Sequence, residues 1–393
     1  MTSIILGIGV VLVLVIIMMI FRVQSLISLV RGTPTTRETT SNKVNAAMWM
    51  VFLVLGTIGA VWSSIAASDY FLPDASSPHG RETDDLFWIT MGITGAVFFA
   101  THVLLFYFPW KYRFRENRRA SFYPDNNRLE VIWTVVPAIV LTLLVLSGWK
   151  VWRDITTPAE TDDGVMVEIV GQQFTWHFRY PGNKHAELGK RRPELGAFDF
   201  RLIDADNAVG IDLTDENSFD DFLSQEIHLP KGKQVMLKIR ARDVLHSVFL
   251  PHFRVKMDAV PGMPTKFAFT PDKTTKEMRE ELGNPEFNYE LACTEVCGQG
   301  HFSMRKIVVV EEEAEYNAWV AKQKPWLAQN RADYLNKVPA NLQEKALRVI
   351  GPGDGGALPE NAADTTAAPA SNAAALPAKG AIKTVANPKL SAQ

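Results

Sequence analysis

Both cysteines of this 393-residue chain lie in one short stretch, CTEVCGQGHFSM (293–304), with Cys293 and Cys297 four apart, His301 four further on and Met304 three beyond that. Thiolate and thioether are soft ligands suited to copper, and imidazole suits copper too. One cysteine, two histidines and a weak methionine would hold a single ion. Two thiolates can bridge two ions, each then needing a terminal imidazole. His301 supplies one from the loop. The second must come from elsewhere, and the best candidate is His246 in RDVLHSVFLPHF, at the start of a strand just after a turn. His252 is its rival and ranks lower because it follows Pro251. A Cys293–Cys297 disulfide would need a helical or tightly turned backbone to meet the distance requirement. A structural zinc site usually has Cys-x-x-Cys spacing and leaves Met304 unexplained. A core methionine with scattered histidines is the blandest alternative. A dinuclear copper centre that carries electrons accounts for the most residues.

The elements that must position this loop are short alternating runs bounded by Gly, Pro and Asp, which is a strand signal. Segments 165–180, 234–242, 246–251, 266–271, 288–292 and 304–312 read as strands, so the copper loop joins the last two. Such a series predicts an all-β sandwich or small barrel. Residues 182–225 are polar, charged and aperiodic and read as an insertion without a legible role. Residues from Glu311 to about Ile350 read as helical, interrupted at Pro325 and Pro339. The Ala/Pro/Gly-rich end from 351 reads as a disordered tail. It contains no Cys-x-x-Cys-His, so no haem attached to this chain is expected.

Hydrophobic residues make up 47% of the chain and concentrate in the first 153 residues. Four apolar stretches, 4–21, 46–67, 86–109 and 130–152, each have roughly the 17 to 25 residues that cross a bilayer as a helix. The first lacks a basic start and a prompt small-x-small cleavage site, so an uncleaved helix is expected rather than a signal peptide. The loops carrying Arg22, Arg31, Arg37 and Lys43, and Lys111, Arg113, Arg115, Arg118, Arg119 and Arg128, are basic, while the loop between them is mainly acidic. Positive loops stay in the cytoplasm, which places both termini and the hydrophilic C-terminal half on the periplasmic side of a bacterial inner membrane. A net charge of −2 argues against nucleic acid as a partner.

The copper loop, the DVLHS turn, KMDAVPG (256–262) and LEVIWTVVPAIVL (129–141) together resemble cytochrome c oxidase subunit II with its CuA centre, over about residues 80–320. The resemblance implies transmembrane helices followed by a cupredoxin-like sandwich or barrel. The implied division is an extra helix pair (1–79), a transmembrane hairpin (80–153), the copper domain with its insertion (154–320), a helical segment (321–350) and the tail (351–393). It further implies that Cys293 and Cys297 bridge both coppers, that His246 and Met304 complete one, and that His301 and the backbone carbonyl of Glu295 complete the other. The Glu295 side chain matches a ligand to magnesium at the interface with subunit I. Glu130 matches the carboxylate at the cytoplasmic mouth of a proton channel. The implied activity is transfer of electrons from a cytochrome c to haem in subunit I, where dioxygen is reduced and protons are pumped, with subunit III as a further partner. Alone, the chain should have no oxidase activity.

Several residues depart from the family's pattern. Phe174 stands where a tryptophan usually accepts the electron. On one alternating strand Trp176 would share its face and either take that role or belong to the core. Arg179 and Arg242 stand where many members place carboxylates, which predicts weak docking of a lysine-rich soluble cytochrome c and favours a tethered cytochrome domain as donor. The extra helices are expected against neighbouring oxidase subunits, or against another respiratory complex in a supercomplex. A quinol oxidase subunit of the same fold would lack the copper ligands. A copper chaperone or sensor would not need Glu130 or the proline-bearing hairpin. Nitrous oxide reductase needs a propeller domain for which there is no room.

Overall fold

The computed structural model describes residues 2–30, 38–157, 164–185, 188 and 193–351. The tail expected from 351 therefore lies, apart from Gly351, outside the described residues. Four long helices come first: α1 (Thr2–Val30), α2 (Thr40–Ala66), α3 (Pro78–Lys111) and α4 (Asn127–Thr156). Thr39, Ser77 and Asn126 cap the last three by accepting the amides of Asn42, Gly80 and Leu129. These caps start each helix ahead of its apolar run, because a polar side chain must satisfy the first free N–H groups. Large apolar side chains such as Leu55, Trp62, Leu105 and Val145 face outward. Among the described residues α2, α3 and α4 are long and apolar enough to cross a membrane, and α1 carries the shorter apolar run Leu12–Gln24.

Among the described residues the second half forms a sandwich of ten strands. They are β1 (Val165–Gln172), β2 (Thr175–Tyr180), β3 (Phe222–Ser224), β4 (Ile227–Pro230), β5 (Val235–Ala241), β6 (His246–Leu250), β7 (Val255–Ala259), β8 (Thr265–Phe269), β9 (Tyr289–Cys293) and β10 (Arg305–Glu311). One sheet has the order β3-β2-β1-β5-β8 and the other β4-β10-β9-β6-β7. Successive side chains on a strand point to opposite faces. Val167, Ile169, Phe178, Leu237 and Ile239 therefore meet Val248, Leu250, Leu291 and Val308 in a common core. The expected single strand over 165–180 is a hairpin instead, with Gln172 paired to Thr175 across a turn made by Gln173 and Phe174. That turn has none of the Asn-Gly or Gly chemistry that announces a two-residue hairpin in a sequence.

Among the described residues five short α-helices follow: α5 (Thr275–Leu282), α6 (Glu313–Ala321), α7 (Trp326–Gln329), α8 (Arg331–Tyr334) and α9 (Gln343–Ile350). The insertion packs with the last three. Val209, Ile211 and Phe219 join Trp326, Leu327, Tyr334 and Val349 in a second core that also buries Val170 from the outer face of β1. The two cores are joined by a buried ionic cluster. Arg179 is 0% exposed. Its guanidinium donates to Asp221 (2.7 Å), Glu168 (3.3 Å) and Ser218 (3.3 Å), and Glu168 also pairs with Arg240 at 2.7 Å. Arg179 is thus not the surface charge that the sequence suggested. Its strand alternation points it outward from the first core, but the insertion covers it.

The turn after β6 ties the sandwich to the membrane helices. Arg254, at φ 53°, pairs with Asp84 of α3 at 2.7 Å and donates to the Pro73 carbonyl at 2.6 Å. The Ser77 hydroxyl that caps α3 donates to the Phe253 carbonyl, and the Ser76 amide donates to the His252 carbonyl.

Candidate metal centre

His246 opens β6 and is fully buried. Its Nε2 lies 2.9 Å from Asp243 Oδ1, and its Nδ1 lies 4.0 Å from Cys293 Sγ. Asp243 is itself held, accepting the backbone amides of Gln173 and Val244 at 2.7 Å each. Burial pushes the Asp243 carboxyl up, but these bonds outweigh it and hold it below the usual carboxylate range. An ionised carboxylate on Nε2 keeps the proton there and leaves the Nδ1 lone pair toward the sulfur, a common arrangement behind metal-binding histidines.

Cys293 closes β9, and the loop returns to β10 through a 3₁₀ turn over His301–Ser303. The Cys293 amide donates to the Met304 carbonyl, which closes the base of the loop. Cys297 Sγ lies 3.7 Å from His301 Nδ1 and 3.4 Å from Met304 Sδ, while Cys293 Sγ lies 3.3 Å from the Glu295 carbonyl oxygen. The ligand atoms of His246, Cys293 and Cys297 all lie within 4.8 Å of one another. Both cysteines are free thiols.

This donor set fits a pair of soft metal ions. Two donors at about 2.0 to 2.3 Å from one tetrahedral metal stand roughly 3.3 to 3.8 Å apart. The spacings around both sulfurs are close to that, and thiolate, imidazole and thioether are copper ligands. Burial, with Cys293 alongside, pushes the Cys297 thiol up to about 11. A bound cation must therefore displace its proton.

His252 lies past the far end of β6, edge-on to Phe287 and Tyr289, and is not part of the cluster. The side chain of Glu295 is exposed while its carbonyl turns inward to Cys293. Glu130 sits in the first turn of α4, exposed, and is not among the residues brought together. Phe174 and Trp176 do not share a face. Phe174 lies in the turn and is 39% exposed, against the copper loop, whereas Trp176 on β2 is 1% exposed. The Trp176 indole N–H donates to the Met304 carbonyl at 3.2 Å, and its ring stands edge-on to His246 with centroids 5.7 Å apart. Arg242 is half-buried and donates to Gln172 at 3.0 Å.

Three residues at the site were not singled out from the sequence. Asp243 stood inside the DVLHS motif, and the need of a ligating histidine for a partner on its other nitrogen was the available signal. Gln173 donates its side-chain amide to the Cys297 carbonyl at 2.6 Å, and Gly171 leaves room for His246, since a Cβ there would sit 2.9 Å from His246 Cδ2. Nothing local in the sequence marks either. Outside the ligands, Val244, Leu245, Val296 and Phe302 are exposed, which gives the mouth of the site an apolar rim.

Comparison with known proteins finds two adjoining matches. The transmembrane domain of cytochrome c oxidase subunit II matches residues 60–151, and its periplasmic domain matches residues 165–312. The alternative cytochrome c oxidase subunit 2 of Bradyrhizobium diazoefficiens is 34% identical over 277 residues, covering 70% of this chain and 91% of that one. Cytochrome c oxidase subunit 2 of Thermostichus vulcanus is 25% identical over 363 residues, covering 79% of this chain and 93% of that one. The crystal structure of the periplasmic domain of subunit II of cytochrome oxidase from Bradyrhizobium japonicum is 24% identical, covers 40% of this chain and 91% of that one, and has a TM-score of 0.26.

Proposed function

The chain belongs to the cytochrome c oxidase subunit II family, and from that premise we propose how its own residues serve a haem-copper oxidase. It is a membrane protein with a periplasmic C-terminal domain, and the subunit it represents passes electrons toward haem in subunit I. When bound, a CuA pair would supply a one-electron carrier. Cys293 and Cys297 would hold the pair between them, with His246 and Met304 as further donors on one side and His301 and the Glu295 carbonyl on the other. The observation that carries this reading is the convergence of these donors on two free, buried thiols.

The chain's own work is to hold donors still and keep water away. Trp176 closes the inner side, and the apolar rim closes the mouth once a partner covers it. Phe174, on the exposed side of the loop, is the residue through which a cytochrome c or a tethered cytochrome domain delivers its electron; Trp176 lies behind the ligands and supports His246. The Glu295 carboxylate, exposed to the outside, would hold a magnesium ion shared with subunit I. Glu130 serves the cytoplasmic mouth of a proton channel, in a chain that crosses a bacterial inner membrane several times and also meets subunit III. The molecule divides near residues 79, 153, 320 and 350 into extra helices, hairpin, copper domain, helical segment and tail.

Electron paramagnetic resonance of the assembled oxidase tests the core of this reading. A seven-line mixed-valence signal that disappears in Cys297→Ser is expected. A single-copper spectrum, or Cys293 and Cys297 found oxidised to each other in the copper-treated protein, would overturn it.

A further inference from the structure

The β1–β2 hairpin contributes no ligand, yet its end touches every segment that does. At Gly171 the backbone passes directly under the His246 ring. The Gln173 backbone amide donates to Asp243 Oδ2, on the carboxylate that holds His246 Nε2, while the side-chain amide of the same residue donates to the Cys297 carbonyl. Phe174 lies against both loop glycines. A Cβ on Gly298 would fall 2.9 Å from its ring, and one on Gly300, immediately before His301, would fall 2.7 Å from Phe174 Cβ. Trp176 holds the carbonyl of Met304.

We infer that the Gln173–Phe174 turn is a clasp that sets the spacing between the two ligand-bearing loops, with Gln173 and Phe174 as positioning residues. The inference rests on the metal reading above and assigns these two side chains a role beyond it. One residue, Gln173, bonds to the His246 loop through its main chain and to the Cys297 loop through its side chain, so neither loop can shift without breaking one of its bonds. Phe174 supplies the steric half. Gly300 has an ordinary backbone conformation, φ −89° and ψ 9°, which any residue adopts. The three heavy atoms nearest to a Cβ there all belong to Phe174. Glycine at 300 therefore answers the Phe174 side chain, Cβ and ring together, rather than its own backbone, and a methyl group would push His301 away from Cys297.

The test uses the assembled oxidase and four variants: Gln173→Ala, Phe174→Gly, Gly300→Ala and the double variant Gly300→Ala with Phe174→Gly. The readouts are the rate of copper loss to a chelator, the hyperfine pattern of the copper signal, and the rate of alkylation of the two cysteines in copper-free protein. Loss of a partner outside the ligand shell typically costs roughly tenfold to a hundredfold in metal affinity. Gln173→Ala and Gly300→Ala should each release copper at least about tenfold faster, with a changed hyperfine pattern and faster alkylation. Removing the whole side chain, Cβ included, should return Gly300→Ala to the behaviour of Phe174→Gly alone. If Gly300→Ala fails to assemble, assembly of the double variant supports the clasp and its failure overturns it. Copper release and spectra unchanged in Gln173→Ala and Gly300→Ala, with a normal dinuclear signal in the parent, would overturn the clasp and leave the metal reading intact. A parent without that signal would instead remove the metal reading.

Discussion

Arg179 shows how much a residue's meaning depends on what covers it. Read along the chain it is a cation on an exposed strand face. In the fold it is enclosed with Asp221 and Glu168, so it repels nothing outside the protein. Removing one partner of a buried ionic cluster leaves the others uncompensated, which typically costs about 3 to 5 kcal/mol. Arg179→Leu should therefore lower the thermal unfolding midpoint of the periplasmic domain by many degrees, measured by calorimetry of the purified chain, while Arg179→Lys recovers only part. His177, on the same outer face, gives a pH signature. Burial, with Lys306 and Arg242 nearby, lowers its pKa to about 4 from 6.5. The folded value lies below the unfolded one, so no stability is lost above pH 6.5. It is lost as pH falls from 6.5 to about 4, where the unfolded chain takes up a proton that the folded one refuses. At about 1.4 kcal/mol per unit, the loss is on the order of 3 kcal/mol. Urea unfolding across this window should show that slope, and His177→Gln should flatten it.

At the scale of elements, the insertion and the C-terminal helices make one module whose underside is the back of β1. Trp326 is buried in its core, and the Trp326 amide donates to the Asp221 carbonyl. Trp326→Ala should cost roughly 3 to 5 kcal/mol in that module. The expected readout is faster limited proteolysis within 193–221, with cleavage elsewhere in the sandwich unchanged. Equal acceleration throughout the domain would mean that the two cores unfold as one unit. Neither half of this module was legible as a partner of the other, because 182–225 shows no period and 313–350 shows only short helical runs. Each buries its apolar residues largely against the other. The strands were more legible, since alternation is local, and five of the six expected strands are present as single strands close to the expected ends. The sixth concealed a hairpin, and β3, β4 and β7 were not singled out because they are short and flank turns.

For the molecule as a whole, the strand that opens with His246 ends in the turn that grips α3, so the metal site and the membrane hairpin share a single five-residue strut. Donor docking is also a property of the whole surface. With Arg179 buried, Arg242 is the one of the two noted cations that remains near the mouth. Arg242→Gln should raise the association rate of a basic soluble cytochrome c severalfold at low salt, and the gain should vanish near physiological ionic strength, where charges more than about 8 Å apart are screened. Stopped-flow reduction at two salt concentrations measures this, and no change at low salt would remove Arg242 from the docking surface. By itself the sequence determined the soft donor residues and the loop that gathers them, the membrane-length helices and the sandwich, because spacing along a loop, apolar length and alternation are properties of neighbouring residues. Only the tertiary structure decided that Arg179 is internal, that Trp176 lies behind the thiol cluster and Phe174 in front, and that the β1–β2 hairpin joins both loops. Those facts depend on which residues distant in the chain pack together, and close packing leaves room for only one such arrangement.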